Sequence, residues 1–264
     1  MLRRPMLRRL MLRRLMLRAP LPRLSLINSA LHLAFFCLVC FCLSSMSPTS
    51  AFADETEDFE SLFDGKTMTG WRGYKRDDVP ASWTVHDGAI RGAGKGPDLM
   101  SQKAFGDFDL RFEWKLAKSG NSGVIYRVTE TDGPSHHTGP EFQLIDDQEF
   151  ADKIRPTNST GALYGLYGAT EKTLQPIGEY NTSRIVVRGN RIEHWLNGEK
   201  IVDCEIGSED WNKKVAASKF HKWKGFAKNS AGHIVLQSHG SPVWFREIRI
   251  KQLPAPTAEA SATP

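Results

Sequence analysis

An all-β fold, an antiparallel sandwich or jelly roll, is what this sequence predicts, and three features predict it. Between Phe59 and Leu253 the chain is cut into short runs rich in aromatic and β-branched residues, separated by Gly, Asn and Asp. Several of those separators are dipeptides that tolerate positive φ and close tight hairpins. Only one stretch repeats its apolar residues at helical spacing. With about a dozen strands around one core, two packed sheets are the economical arrangement.

In chain order, Ser82–Val85 and Ala89–Arg91 flank Asp87-Gly88 and read as a hairpin. From Phe108 to Leu116, Phe112, Trp114 and Leu116 alternate with Arg111, Glu113 and Lys115, the pattern of a half-buried strand. Arg184–Arg188, Arg191–Leu196 and Lys200–Cys204 form a meander whose turns contain Gly189-Asn190 and Asn197-Gly198. Ser208–Lys219 is the helical exception: Ser208 can cap, Glu209 and Asp210 suit the first turn, and Trp211 and Val215 are four apart.

The net charge of +5 suggests a polyanion binder until its placement is considered. Residues 1–53 hold eight Arg, no Lys and no acid; removing those eight from the 35 basic residues leaves 27 against 30 acidic, a net charge of −3 for residues 54–264. Nucleic acid is therefore not expected as a partner. The front segment reads as a secretory signal, with an Arg-rich start, an apolar stretch from Leu31 to Leu43 and small residues ending at Ala51-Phe52-Ala53. That stretch falls short of the roughly 20 apolar residues of a bilayer span, so cleavage after Ala53 and a periplasmic or extracellular product without a stable membrane anchor are expected. Cys37, Cys40 and Cys42 lie in the signal, which leaves Cys204 as a packing residue with no disulfide partner. The expected organisation is a signal at 1–53, a short linker at 54–58, one domain at 59–253 and a disordered Pro/Ala/Thr tail at 254–264.

The richest segment for function is Gly139-Pro-Glu-Phe-Gln-Leu-Ile-Asp-Asp147. In a strand, Glu141 and Gln143 point to one face while Phe142 and Leu144 point to the other. His233–Gly240 repeats the arrangement, with Ile234, Leu236 and Ser238 alternating with Val235, Gln237 and His239. Side by side, two such strands would line a polar sheet face.

Leu62-Phe-Asp-Gly-Lys66 with Gly70-Trp71, Asn121-Ser-Gly-Val-Ile-Tyr-Arg127, Glu141-Phe-Gln-Leu-Ile-Asp146, Thr160-Gly-Ala-Leu-Tyr164, Gly178-Glu-Tyr-Asn181, His194-Trp-Leu-Asn-Gly198 and Gly232–Gly240 running on to Phe245-Arg-Glu-Ile248 are separated blocks in a fixed order. In that order they resemble the 3-keto-disaccharide hydrolase family. The resemblance covers about residues 59–252 and implies a concanavalin-like jelly roll that acts, outside the cytoplasm, on oxidised disaccharides or glycosides. The chemistry is consistent with these residue types. A ketone at C3 acidifies the C2 proton and places the C1 oxygen β to it, so a base, a donor for the enolate oxygen and a proton source for the leaving group suffice. Glu141 or His239 is the expected base and Arg127 the enolate or hydroxyl stabiliser. Gln143, Gln237, Asn121, Asp146 and Trp195 are the expected substrate-binding residues.

Structural roles are open for the same residues. Glu141 also fits an ion pair with Arg127 or Arg184; His239 stands before a Gly-Ser-Pro turn; Trp195 could stack on sugar or pack in the sheet. His194 shares parity with Ile192 and Leu196 and reads as a satisfied core histidine. His136-His137 near Glu141, Asp146 and Asp147 is a weak metal motif, because adjacent histidines share one ion poorly. No cofactor is expected; a hard divalent cation on Asp146, Asp147 and loop carbonyls is the conceivable exception. Two other functions compete. A non-catalytic carbohydrate-binding module would use Trp71, Trp83, Trp195 and Trp223 as sugar platforms. A laminarinase-like retaining glycosidase would pair Glu141 with Asp146, which needs a bulge because residues five apart in a regular strand face opposite ways.

Overall fold

The computed structural model of the protein describes residues 58–255. The expected signal at 1–53, most of the 54–58 linker and most of the 254–264 tail lie outside the described residues. In chain order the strands are β1 (Glu60–Ser61), β2 (Trp71–Gly73), β3 (Trp83–His86), β4 (Ala89–Gly92), β5 (Leu99–Phe105), β6 (Phe108–Leu116), β7 (Asn121–Val128), β8 (Glu141–Ile145), β9 (Asn181–Arg188), β10 (Arg191–Leu196), β11 (Glu199–Glu205), β12 (Gly232–Leu236) and β13 (Val243–Gln252). The helix α1 spans Glu209–Ala217, and short 3-10 turns occupy Ser135–His137, Pro156–Asn158 and Lys219–Lys222.

Two antiparallel sheets result. Eight strands run β11-β10-β9-β6-β13-β4-β3 with β1 added beside β13, and five run β2-β5-β12-β7-β8. Alternation explains why they face each other. Phe108, Leu110, Phe112 and Trp114 of β6 and Ile185 and Val187 of β9 point inward from the larger sheet; Val124 and Tyr126 of β7, Phe142 and Leu144 of β8, and Ile234 and Leu236 of β12 point inward from the smaller. Phe112 meets Phe142 edge-on at 5.9 Å and Phe108 meets Tyr126 at 6.1 Å, so aromatic pairs stitch the layers. Each such ring contributes about 1.5–3 kcal/mol by burial.

The hairpin, meander and helix form where their sequence signals lie. Asp87 and Gly88 take φ of 50° and 71°, and Asn197 and Gly198 take 48° and 90°, the left-handed pairs a two-residue turn requires. The Ser208 side chain accepts from the Trp211 N–H and starts α1. His194 is fully buried: Nδ1 donates to the Gly161 carbonyl at 3.0 Å, and Nε2 accepts from the Tyr126 hydroxyl at 2.9 Å. Burial holds its pKa down at about 4, so it is a neutral core residue. Cys204 is likewise buried, and burial pushes its thiol up to about 12.

One irregularity matters for function. Where β7 pairs with β12, His233 faces Val128 but Val235 faces Ile125, so β7 advances three residues while β12 advances two. Arg127 absorbs the extra residue at φ 53°. Alternation along β7 therefore breaks at that residue.

Candidate active site

The β7–β8 side of the smaller sheet builds a polar cleft on the face turned away from the core. Along β8, Phe142 and Leu144 are fully buried in the core, which sends Glu141 and Gln143 to the opposite face. Pairing with β7 sets Ile125 beside Glu141, Gly123 beside Gln143 and Asn121 beside Ile145. A methyl group at Gly123 would collide with the Glu141 carboxyl, so glycine is what lets that side chain lie across β7. Gln143 Nε2 donates to Asn121 Oδ1 at 3.1 Å. Beyond β12 the chain still follows β7, with the Gln237 N–H on the Gly123 carbonyl at 2.9 Å and Ser122 Oγ on the Gln237 carbonyl at 2.8 Å. Glu141, Gln143, Asn121, Gln237 and His239 thus line one cleft of about 90 Å³.

Three further side chains complete it: His136, Tyr164 and Lys219. Tyr164 arrives because residues 161–164 flank the outer edge of β8, with Gly161 N–H on Gln143 O at 2.8 Å and Tyr164 N–H on Glu141 O at 3.0 Å. This covers an otherwise open strand edge. His136 sits in the turn after β7, where Trp223 stacks on its neighbour His137 with ring centres 4.0 Å apart. Lys219 opens the 3-10 turn that follows α1. Its Nζ lies 4.6 Å from the centre of the Tyr164 ring and 5.6 Å from those of Phe220 and Trp223. Among the described residues it has no hydrogen bond and no carboxylate partner, so an aromatic cage holds an ammonium free to meet a ligand.

Electrostatics single out Glu141. The residue is 8% exposed. Burial pushes its carboxyl up to about 8; Asp98 adds to the rise, while Lys219 and a hydrogen bond from Gln237 oppose it. His136 moves the other way, held down at about 4 by burial and by the nearby Lys219 charge, and is neutral at ordinary pH. The cleft therefore combines a carboxyl that titrates close to neutrality, a caged cation, a neutral imidazole and three amides.

The predicted Arg127 is not part of it. Strand parity put this side chain on the Glu141 face, but the bulge turns it out of register. Its guanidinium instead bonds to the carbonyls of Gly106 at 3.1 Å and Gly189 at 2.9 Å and to the Asp107 carboxylate at 2.7 Å. It pins the β5–β6 turn, which links the two sheets, to the β9–β10 turn of the larger sheet. Arg127→Met should therefore destabilise the fold by about 3–5 kcal/mol, because it strands a partly buried carboxylate, and leave kcat/KM of the folded protein near wild type. Denaturant melts with kinetics on the surviving fraction check both halves; a large kcat loss in stably folded protein would return Arg127 to the site.

Asp146 and Trp195 also lie elsewhere. Asp146 is 2% exposed and accepts the N–H groups of Ser119 at 2.9 Å and Glu149 at 3.1 Å, so it shapes turns and does not line the Glu141 cleft. The two-carboxylate pair of a retaining glycosidase is accordingly not assembled. Trp195 is on the outer face of the larger sheet, flanked by Arg184 and Lys200 at 5.4 and 5.7 Å. A larger cleft of about 420 Å³ opens there. Three of its charged side chains are paired, Arg184 and Arg111 with Asp109 at 2.8 and 3.3 Å and Glu113 with Arg246 at 2.7 Å. Neither Arg127 nor Arg184 pairs with Glu141, contrary to the structural alternative for that residue. Trp71 and Trp83 are core residues, with indole N–H groups on the carbonyls of Leu62 and Pro97 at 2.7 and 2.9 Å. Of the four sugar-platform tryptophans, only Trp223 stands beside the cleft. No three His, Cys, Asp or Glu side chains converge on a metal position among the described residues.

A two-layer antiparallel jelly roll whose cleft joins a buried carboxyl, a caged cation and three side-chain amides defines a carbohydrate-active protein. The chain belongs to the family of the 3-keto-alpha-glucoside-1,2-lyase-like domain, whose model matches residues 58–251. It is 35% identical over 231 residues to the 3-keto-disaccharide hydrolase of Bacteroides thetaiotaomicron, covering 75% of this chain and 80% of that one. Two crystal structures presented as candidate glycosyl hydrolases of Parabacteroides distasonis are similar to it. One superposes with a TM-score of 0.71 at 34% identity, over 76% of this chain and 96% of that one; the other with 0.61 at 28%, over 74% and 99%.

Proposed function

We propose that this protein cleaves the glycosidic bond of 3-keto-disaccharides by elimination across C1 and C2 of the oxidised ring, with the Glu141 cleft as its site. Family membership and the relative's name support the reaction class. The observation that supports the assignment of roles is the buried Glu141 carboxyl, raised to about 8 in a cleft that also holds an unpaired cation. In its ionised form Glu141 takes the C2 proton, and the C2–H electron pair becomes the enolate of the C3 ketone. Lys219 stabilises the enolate oxygen, a role that residue type and strand parity had given to Arg127. The enolate then collapses to a C1–C2 double bond as the C1–O bond breaks, and His239 or a water protonates the departing oxygen. Addition of water across the double bond returns the proton to C2 and places a hydroxyl on C1, so the net result is hydrolysis. Asn121, Gln143 and Gln237 bind the ring hydroxyls. The Arg-rich, apolar and small-residue order of residues 1–53 supports an exported protein that meets its substrate outside the cytoplasm.

Incubation of residues 54–264 with 3-keto-trehalose and with trehalose, each with and without a chelator, tests the reading. Cleavage of the keto sugar alone, unaffected by the chelator, is expected, because the Lys219 ammonium occupies the electrophile's place. Cleavage of neither sugar would leave a binding module, and cleavage of both a conventional glycosidase.

A further inference from the structure

The Glu141 cleft is bordered by two segments far apart in the chain, the Ser135–His137 turn and the stretch Gln237–His239 after β12. Both are fastened to one carboxylate. Asp98, the residue before β5, accepts Ser135 Oγ on Oδ2 at 2.6 Å and the Ser238 backbone N–H on Oδ1 at 2.9 Å. Its own carbonyl accepts the Tyr74 N–H at 2.8 Å, which holds the backbone of the fastener. Ser135 is fully buried and immediately precedes His136; Ser238 sits between Gln237 and His239. Asp98, Ser135 and Ser238 themselves are not among the side chains that line the cleft.

We infer that Asp98 is a positioning residue of this site, a single carboxylate that sets His136 and His239 in place around Glu141 by bonding to the chain neighbour of each. The inference rests on the Glu141 cleft being the site of the elimination. A fastener alone would not need a charge, and this one is expensive: burial raises the Asp98 carboxyl, opposed by its bonds to Ser135 and Ser238 and by His239, and no Lys or Arg pairs with it among the described residues. The charge has a use at Glu141. The charged and titratable groups facing Glu141 are Lys219 from the turn after α1, His136 from the turn after β7, Tyr164 from the segment along the outer edge of β8, His239 beyond β12 and Asp98 at the head of β5. Lys219 pulls the carboxyl down and Asp98 pushes it up, so Asp98 helps keep Glu141 basic enough to take a carbon-bound proton.

Two variants of residues 54–264 test this, Asp98→Asn and Ser135→Ala. The readouts are the Glu141 carboxyl titration by carbon-13 NMR, which needs no substrate, and kcat and KM for 3-keto-trehalose across pH. Asparagine keeps an oxygen for the Ser238 N–H and a polar partner for Ser135, yet removes the charge. The Glu141 midpoint should fall, the acidic limb of kcat/KM should move to lower pH with it, and kcat should drop on the order of tenfold or more with KM little changed. Ser135→Ala breaks one bond and keeps the charge, so kcat should fall while the midpoint stays. A wild-type midpoint and kcat in Asp98→Asn would overturn the inference. So would a midpoint shift in Ser135→Ala as large as in Asp98→Asn. Failure of the underlying reading looks different: Glu141→Gln would keep wild-type kcat, while the NMR midpoint still reports on Asp98.

Discussion

Glu141→Gln lowers kcat/KM for a 3-keto-disaccharide on the order of 10³-fold, the usual worth of a positioned general base, and leaves sugar affinity within a few-fold. The amide keeps the shape and the hydrogen bond to Gln237 and loses only the proton acceptor. In the wild type, activity should rise with pH along a limb governed by Glu141, near the value of about 8 to which burial lifts it. The same group makes an opposite prediction for stability. The folded chain binds the Glu141 proton more tightly than the unfolded chain, whose carboxyl keeps its ordinary value of 4.5. That contribution to stability is fully present below 4.5 and is lost as pH rises towards about 8. Glu141→Gln should therefore melt close to wild type in acid. At about pH 9 it should exceed wild type by a few kcal/mol, at about 1.4 kcal/mol per pKa unit. Melting curves of the two proteins across pH check this. A variant no more stable than wild type in alkali would mean that water reaches the carboxyl freely, and the argument for its basicity would fall with it.

Lys219→Met should cost about 10²–10³ in kcat, the measured worth of one preorganised donor to a developing oxyanion, with KM changed far less. The aliphatic stem of methionine still packs among Tyr164, Phe220 and Trp223, so the cage stays filled. Loss of the ammonium also removes the charge that pulls Glu141 down, so the acidic limb of kcat/KM should move to higher pH. Lys219→Arg, which keeps the charge and alters its geometry, should recover part of the rate. If Lys219→Met raises KM alone and leaves kcat and the limb unchanged, the lysine binds sugar and does not stabilise the enolate.

The faces of the strands were legible because burial follows a period of two. Glu141 with Gln143, and Gln237 with His239, fell on one face since Phe142, Leu144, Ile234 and Leu236 had to enter the core. The hairpins at Asp87-Gly88 and Asn197-Gly198 were legible for a similarly local reason, the demand of a two-residue turn for positive φ. Tyr164 stood in one of the blocks that carry the family resemblance, and His136 in a motif weighed for metal, but neither had a local signal of a place beside Glu141.

Sequence by itself determined which side chains a regular strand would present, the two-layer fold that alternation requires, and the face on which the Glu141 carboxyl lies. Only tertiary structure decided where alternation fails and what arrives from outside the strands. A single left-handed residue in β7 sends Arg127 to the Asp107 carboxylate. The cation that takes its place comes from a turn 78 positions further along than Glu141, brought there by the packing of Phe220, Trp223 and Tyr164. Periodicity is a property of neighbours along the chain, whereas the electrostatics of Glu141 depend on Asp98, Lys219 and Gln237, which meet it only once both sheets have closed on their common core.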